Sequence, residues 1–465
     1  MMIEGAMSSA LNAINAYSNQ VANISENLAN VGTVGFKRVD SGFKDLLMGP
    51  SPEYQTPLSV REQPIYRTNV AGTIANSSDP TSFAISGGDG LVPVTEVNMS
   101  GGSETLGTDV RYTRAADFSV DANNFLVNSQ GQALMAVRET GKFTNSFPAT
   151  PSAATLEPVN LDPAVYAAMP GSPTTSLSLN ANFPASAQVV PDPTDPATPG
   201  PAPGAGASDQ TVSLSVYDSL GYDHTLQLTM RKTAAYDGNG AMNSWNVVDA
   251  QIVGASGNAN TPVSHVDANG NNLSIAFDGN GRLSGATKLP FSIPSVTDTL
   301  ADGSTANSTA TSLTLDFGTP SMNSTQFSGQ AVEIRNTQDW DGHAPGSFSS
   351  ASIDQNGNVA FTYTNGMTTT PYRIPLATFP NSDLLDRISG TTFGANPGLA
   401  GNPTYSWSGN TGNGGAIVPN SVEDSNVDVT SELTKMIVAQ QAYSSNSKVI
   451  STGDQMVETA IGMKT

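Results

Sequence analysis

The sequence predicts an α+β fold that is mainly β, with a long helix at each end of the chain and two β-rich domains inserted between these helices. Three observations predict this fold. Both ends carry apolar residues at alternating steps of three and four, the middle carries runs in which apolar and polar residues alternate, and Asn-Gly turns separate those runs. At roughly 150 residues per domain, the 465 residues suffice for about three folded units.

The first helix is predicted by a stripe of apolar residues with a period of 3.5. Such a period keeps one face of a helix turned towards a partner helix, as in a coiled coil. The stripe contains Ile3, Met7, Ala10, Ile14, Tyr17, Val21, Ile24, Leu28 and Val31. Four prolines at positions 50, 52, 57 and 64 end the helical pattern after it.

The middle of the chain is predicted to form β-strands joined by tight turns. Apolar or β-branched residues alternate with polar ones in residues 211–217, 225–230, 312–317 and 358–363. Turn signals of the form Asp-x-Asn-Gly occupy residues 237–240, 267–270, 278–281 and 354–357. Residues 184–208 are rich in proline, which predicts an exposed, stiff and extended loop.

The last segment repeats the stripe of the first, although polar residues interrupt it. Its positions are Val429, Leu433, Met436, Gln440, Tyr443, Ser447, Ile450, Asp454, Val457 and Ile461. We expect the two terminal helices to pair as a coiled-coil-like core.

Both helices are expected to become ordered only when several subunits bury their stripes together. The first helix would be about 43 Å long at 1.5 Å per residue, and it is rich in Asn and Ser, which are poor helix formers. The predicted assembly interface therefore consists of Ile3, Met7, Ile14, Tyr17, Val21, Ile24, Leu28, Val31, Val429, Leu433, Met436, Tyr443, Ile450, Val457 and Ile461.

Composition narrows the classes of partner. The formal net charge of -21 repels phosphate groups, which argues against nucleic acid and anionic membranes. Only 13% of the residues are charged, so much of the surface is neutral and packs readily against itself. The N-terminus lacks a basic region followed by an apolar stretch, so no cleaved signal peptide is expected, and no stretch is long and apolar enough for a membrane span.

No catalytic, cofactor or metal site is predicted, and the chain is not expected to be an enzyme. There is no cysteine, and the histidines His224, His265 and His343 have no metal-ligand spacing. The turn that starts at Asp267 places oxygen atoms at alternate positions, as a calcium loop does. However, Asn272 stands where such a loop needs glycine, so a plain turn is favoured over a calcium site.

Several segments resemble the family of bacterial flagellar rod and hook proteins. At the N-terminal end these are residues 23–30 and 33–38, and at the C-terminal end residues 425–433, 436–443, 446–450 and 455–456. Residues 112–121, 125–131, 177–182 and 216–226 resemble segments of the hook members of the family. The paired termini are the more specific signal, and the match spans nearly the whole chain.

This resemblance implies a structural subunit of the flagellar hook, a curved hollow tube that acts as a universal joint and transmits torque from the rod to the filament. It implies many copies of the chain as partners, together with the rod, hook-cap and hook-filament junction proteins and the flagellar export apparatus. The location would be extracellular. The expected domains are a terminal helical core (1–47 and 420–465), an extended linker (48–90), an inner β domain (91–147 and 337–419) and an outer β domain (148–336).

Three alternatives stay open at this stage. The chain is a distal rod or other axial subunit, an acidic extracellular β-rich adhesin with the helices as an oligomerisation stalk, or an enzyme such as a glycan hydrolase. The enzyme alternative has only the abundance of carboxylates in its favour, since no paired motif supports it.

Overall fold

The structure, a computed structural model, confirms a mainly β fold with one long helix at each end. It describes residues 2–45, 60–100, 103–107, 109–161, 166, 168–193, 200–204, 208–237, 242–253, 260–267, 270–285, 287–299, 305–318, 324–329, 331–409 and 414–463. The chain divides into two compact units. The terminal unit contains residues 1–167, 349–362 and 368–465, and the inserted unit contains residues 168–348 and 363–367.

The helices are α1 (Met2–Ala29) and α2 (Val429–Gly462), with short 3-10 turns at Ala153–Thr155 and Ser382–Leu384. The first strands are β1 (Val39–Asp45), β2 (Val60–Tyr66), β3 (Ile74–Asn76), β4 (Phe83–Ser86), β5 (Val92–Ser100), β6 (Ser103–Leu106), β7 (Arg111–Thr113), β8 (Ser119–Val120), β9 (Leu126–Val127), β10 (Gln132–Arg138) and β11 (Leu156–Pro158).

The next strands are β12 (Ala168–Met169), β13 (Ser176–Pro184), β14 (Gln210–Tyr217), β15 (Asp223–Ala234), β16 (Asn243–Val253), β17 (Thr261–Pro262), β18 (Ser274–Phe277), β19 (Leu283–Ser284), β20 (Lys288–Ile293), β21 (Thr297–Thr299), β22 (Thr305–Asn307), β23 (Thr311–Asp316), β24 (Thr325–Phe327), β25 (Glu333–Trp340) and β26 (Gly346–Ile353). The last are β27 (Asn358–Tyr363), β28 (Thr368–Arg373), β29 (Pro375–Thr378), β30 (Asp386–Ser389), β31 (Thr392–Gly394), β32 (Thr404–Trp407), β33 (Ala416–Pro419) and β34 (Ser421–Glu423).

The terminal unit is built on a sheet in the order β27-β28-β10-β5-β7-β31-β30. One part of its core contains Leu91, Tyr112, Ala377, Phe379 and Phe393. The antiparallel hairpin β1–β2 packs against α1. Within the segment predicted as a linker, β3 pairs with β34 and β4 pairs with β33, so these strands return the chain to the segment that leads into α2. Residues 46–59 lie outside the described residues.

The inserted unit has two main sheets, one of five strands and one of six. The first follows the order β20-β23-β13-β24, with β25 paired to β13, and the second follows β14-β15-β16-β18-β19, with β17 paired to β16. Phe183, Trp245, Phe277, Phe291 and Phe317 are buried in one core within this unit. The predicted alternation is confirmed along β14, where every second residue from Val212 to Val216 is buried.

Two of the predicted turns, at residues 278–281 and 354–357, are held by aspartate carboxylates, whereas residues 238–240 and 268–269 of the other two lie outside the described residues. Asp278 Oδ1 accepts hydrogen bonds from the backbone N–H groups of Asn280 (2.9 Å) and Arg282 (2.8 Å). Asp354 Oδ1 does the same two and four residues further along its own turn, at 2.9 and 2.8 Å. Gly281, with a φ of +73°, supplies the left-handed conformation that such a turn requires. In these two turns the carboxylate oxygen bonds to the backbone of its own turn. Among the described residues, no cluster of side chains able to hold a metal ion occurs.

The proline-rich segment is largely exposed where it is described, as predicted, but a buried arginine holds its base. Arg231 is fully buried and binds the carboxylate of Asp209 through Nε (2.5 Å) and Nη2 (2.8 Å). The same guanidinium donates to the carbonyl groups of Pro191 (3.1 Å), Pro201 (2.8 Å) and Ala202 (3.1 Å). One side chain of β15 therefore fixes both ends of this loop. Residues 194–199 and 205–207 lie outside the described residues.

We expect Arg231→Met to destabilise the chain by about 3–5 kcal/mol, because it removes the cation from a buried carboxylate and the donors from three carbonyl groups. The midpoint of urea unfolding, followed by tryptophan fluorescence, measures this loss. Lys288→Met is the matched control, since Lys288 lies on β20 of the same unit and pairs with Asp316 (3.3 Å) in solvent. The control is expected to cost less than about 1 kcal/mol. Equal midpoints for the two variants would contradict the role of Arg231.

Candidate assembly surface

The two terminal helices pack against each other in antiparallel orientation. The end of α1 meets the start of α2, where the side chains of Asn27 and Glu432 are hydrogen-bonded, and the helices stay in contact beyond this point. The buried positions of α2 are spaced by seven residues at Glu432, Ala439 and Gly453, with Asn446 half-buried between them. Small residues at this face allow the two helix backbones to lie close together.

The face of α2 that meets α1 is displaced by one residue from the predicted stripe. The displacement concerns one of the two rows of the stripe: residues 433, 440, 447 and 454 are predicted inward, whereas the structure places residues 432, 439, 446 and 453 there. In the other row, Met436 and Ile450 are half-buried. One residue corresponds to a rotation of about 100° around a helix. As a result, Leu433 lies beside the contact with α1 rather than in it.

The predicted interface residues of α2 are consequently mostly exposed in the single chain. Leu433 is 44% and Ile461 63% exposed, and Val429, Tyr443 and Val457 are also exposed, while Met436 and Ile450 are half-buried. The predicted interface residues of α1 are less exposed than those of α2. Ile24 is buried, Met7, Ile14, Tyr17, Val21 and Leu28 are half-buried, and Val31 is exposed after the end of the helix. The side chain of Ile3 lies outside the described residues.

Sequence analysis missed a second apolar stripe on α2. Val438 is 61%, Val449 46% and Met456 57% exposed. Steps of 11 and 7 residues return to the same face of a helix within about 20°, so the three side chains form one row, which we call the α2 ridge. The 3.5-residue stripe omits this row: Val449 and Met456 directly precede its positions Ile450 and Val457, and Val438 lies midway between its positions 436 and 440.

A shallow depression lies between the two helices on their other side. It is lined by Ser18 and Val21 of α1 and by Gln440 and Tyr443 of α2, and its volume is about 460 Å³. We call it the helix groove. All four lining residues are uncharged, and two of them, Val21 and Tyr443, belong to the predicted assembly interface.

A buried amide joins α1 to the first strand and to α2. The side chain of Asn27 donates through Nδ2 to the carbonyl group of Val39 (2.9 Å) and to Glu432 Oε2 (3.0 Å). Its Oδ1 accepts from the backbone N–H of Val39 at 2.9 Å, so the amide pairs with β1 as a neighbouring strand would. A buried amide with three satisfied hydrogen bonds fixes its neighbours in one arrangement.

Ion pairs extend this contact towards the solvent. Lys435 Nζ lies 2.7 Å from Glu432 Oε1 and 3.1 Å from Asp40 Oδ1, and Arg67 Nε donates to Asp40 Oδ2 at 2.9 Å. Burial by itself raises the pKa of the Asp40 carboxyl, but the hydrogen bonds from Arg67 and Lys435 and the charge of Arg38 outweigh it, and the pKa lies below its ordinary value of 3.8. Asp40 is therefore ionised at neutral pH and holds α2 beside β1.

A fully buried set of ion pairs surrounds the carboxylate of Glu423. Its Oε1 accepts from Lys37 Nζ (2.5 Å) and from the backbone N–H of Gly72 (2.7 Å), and its Oε2 accepts from Arg114 Nη1 (2.9 Å). The side chains of Lys37, Arg114 and Glu423 are each 1% exposed. We call these three groups the Glu423 cluster. It joins the segment after α1, the loop after β2, the residue that follows β7 and the segment before α2.

The Glu423 cluster contains two cations for one anion. Burial lowers the pKa of Lys37 to about 8, although the charge of Glu423 opposes this shift, and the charge of Arg114 adds to it. Burial raises the pKa of Glu423, but the charges of Arg114 and Lys37 outweigh burial and the pKa lies below 4.5. One positive charge is thus in excess at neutral pH, where Lys37 remains mostly protonated.

The segments that carry the family resemblance meet at this junction. Asn27 and Lys37 come from the N-terminal signature, and Glu432 comes from the C-terminal one. Asn426, also from the C-terminal signature, accepts from the backbone N–H of Arg38 at 2.7 Å and donates to the carbonyl of Val70 at 2.9 Å. Gly35 has a φ of +66°, and a Cβ there would lie 2.3 Å from the backbone nitrogen of Ala115. The N-terminal and C-terminal signature segments are therefore in direct contact in the folded chain.

Two family models match the chain, one at its C-terminal end and one within the inserted unit. Residues 418–463 match the C-terminal domain of the flagellar basal body rod FlgEFG proteins, and residues 179–343 match the D2 domain of the flagellar basal body protein FlaE. The first match covers β34 and α2, and the second lies within the inserted unit. No described helix is long and apolar enough to span a membrane.

Whole proteins align with the chain from end to end. It is 28% identical to the flagellar hook protein FlgE of Rhizobium meliloti over 100% of both chains. It is 29% identical to that of Escherichia coli K12, over 99% of this chain and 100% of the relative. The crystal structure of the Helicobacter pylori flagellar hook protein FlgE2 superposes with a TM-score of 0.44 at 14% identity, covering 74% of this chain and 98% of that one. The matches in sequence confirm the predicted resemblance to the flagellar rod and hook family.

We expect Glu423→Gln to destabilise the terminal unit by about 3–5 kcal/mol, because it leaves Lys37 and Arg114 buried without a counter-charge. Hydrogen–deuterium exchange of the full chain measures the effect peptide by peptide and locates it. Glu157→Gln is the control, since Glu157 is exposed and lies 3.9 Å from Arg138. Unchanged protection of residues 33–39 and 421–428 in Glu423→Gln would contradict the proposed role of the cluster.

The lowered pKa of Lys37 predicts a dependence of stability on alkaline pH. Above about pH 8 the folded chain has released this proton, whereas the unfolded chain keeps it up to its ordinary pKa of 10.5. The free energy of unfolding therefore increases with pH across this window, by up to about 3 kcal/mol from this group. The difference in unfolding free energy between the parent chain and Lys37→Met, measured from pH 7 to 10, isolates the contribution. A difference that stays constant with pH would show that Lys37 keeps an ordinary pKa.

Proposed function

We propose that the chain is a structural subunit of the bacterial flagellar hook, and that its copies assemble into a curved hollow tube that transmits torque from rod to filament as a universal joint. The observation that carries this proposal is the end-to-end similarity to proteins named flagellar hook protein. The two family domains occur in matching order along the chain and support the same function. In this function the chain acts by forming contacts, and we assign it no catalytic role.

The terminal helices would form the inner layer of the tube, as a coiled-coil-like core. Two properties of α2 support this assignment. It is 34 residues long, and α1 covers only one of its faces, so that large apolar residues stay in contact with water in a single copy. Burying such side chains against neighbouring copies is favourable by about 25 cal/mol for each Å² of apolar surface. We assign the assembly interface to the predicted residues of both helices.

The β-rich remainder would form the outer layers of the wall. We retain the predicted division into a helical core (1–47 and 420–465), a connecting segment (48–90), an inner β domain (91–147 and 337–419) and an outer β domain (148–336). The inserted unit of residues 168–348 supports an outer domain in this part of the chain. The low content of charged residues, 13%, favours contacts between copies that do not depend on fixed ion pairs.

The location and further partners follow from the same function. The subunit would reach the outside of the cell through the flagellar export apparatus, without a cleaved signal peptide. In the flagellum it would contact the rod at one end of the tube, the cap during growth and the hook-filament junction proteins at the other end. Its main partner would be further copies of the same chain.

We expect Leu433→Asp to abolish polymerisation and to leave the fold intact. Leu433 is exposed in the single chain, so the aspartate is solvated in the monomer, but assembly would bury its charge. Sedimentation and electron microscopy of purified protein detect polymers, and circular dichroism checks the fold. Gln441→Asp is the control, because Gln441 is an exposed polar residue of α2 that lies outside the predicted stripe, about 80° around the helix axis from Leu433. Tubes formed by Leu433→Asp as readily as by the parent chain would refute this use of the stripe.

A further inference from the structure

The α2 ridge and the helix groove lie on opposite flanks of the same helix. Gln440, in the groove, and Val449, on the ridge, are nine residues apart, which places them about 180° apart around the helix axis at 100° per residue. The face that packs against α1, at Ala439 and Gly453, lies between them. A single copy cannot bring its own ridge to its own groove.

One feature projects from α2 and is apolar, and the other is a depression lined by uncharged residues. The ridge is a row of three exposed apolar side chains, Val438, Val449 and Met456, and the groove is a depression of about 460 Å³ between two helices. The helix neighbours of Val449 and Met456 one turn away are all uncharged: Ser445, Asn446, Thr452, Gly453, Thr459 and Ala460. Since the residues that line the groove are also uncharged, no repulsion between like charges opposes contact between two copies.

A contact between the ridge of one copy and the groove of another would join two different surfaces of the same chain. A contact between two different patches of one chain is heterologous, and when its rotation does not close a ring, it propagates into an open helical assembly. We propose that the α2 ridge of one copy docks into the helix groove of a second copy, and that this contact repeats from copy to copy. The proposal rests on the proposed function and names a pair of surfaces through which the subunit contacts its neighbours.

The absence of cysteine from the 465 residues allows a direct test by cross-linking. Gln440→Cys and Val449→Cys are introduced together into the full chain, which is then polymerised, oxidised and separated without reductant. The two positions are separated by about 13.5 Å along one helix, which is too far for a disulfide within a copy. We expect a ladder of products with rungs spaced by 48.0 kDa. Each single variant should give no ladder, and a mixture of the two single variants should give dimers only.

Gln440→Cys with Lys448→Cys is the control pair, because Lys448 is exposed on the polar side of α2, next to Val449 in sequence. Tubes of the Gln440→Cys, Val449→Cys variant that form but do not cross-link, or a control pair that gives an equal ladder, would overturn the proposed docking and leave the hook function standing. Dimers from Val449→Cys alone would show ridge-to-ridge contact and also overturn it. A parent chain that forms no polymers would instead overturn the proposed function.

Discussion

The buried carboxylate of Glu423 is the contact on which the arrangement of both termini depends. It accepts hydrogen bonds from Lys37, Arg114 and the backbone N–H of Gly72. One side chain thus contacts three segments that lie 386, 309 and 351 residues away from it in sequence. A charge taken out of water is tolerated only when its partners are all in place. The segment after α1 and the segment before α2 must therefore be folded together, and this fixes where α1 ends and where α2 starts relative to the strands.

The polar contacts between the helices and the strands are concentrated near this cluster. Asn27 bonds both Val39 and Glu432, and Lys435 reaches Asp40, but these contacts all lie within the last turns of α1 and the first turns of α2. Further along, the two helices have mainly each other, through small residues such as Ala439 and Gly453. The chain is thus well determined at the junction and leaves apolar surface uncovered along α2, which is the property that a self-assembling subunit requires.

The sequence predicted those features that depend on local pattern. The helices and the strand β14 follow from periodicity, and the aspartate turns follow from the conformational freedom of Asn-Gly. The Glu423 cluster and the hydrogen bonds from Arg231 to the proline-rich loop could not be predicted from the sequence. Each joins residues that are far apart in the chain and share no local sequence pattern. The signature segments did contain Asn27, Lys37, Asn426 and Glu432. Only the fold shows that the N-terminal residues among them contact the C-terminal part of the chain, and the reverse.

The displacement of the α2 stripe by one residue has a physical meaning. A helix that folded only against its own chain would turn its large apolar residues inward, since their burial stabilises the fold most. In α2 the inward positions hold Glu432, Ala439, Asn446 and Gly453, and the larger residues Leu433, Val438, Tyr443 and Met456 lie on the two flanks. The period of 3.5 in the sequence therefore describes a surface that faces outward from the single chain. Such a surface is what a helix that packs against other copies of the chain would present, and the predicted assembly interface stays a prediction that those copies would test.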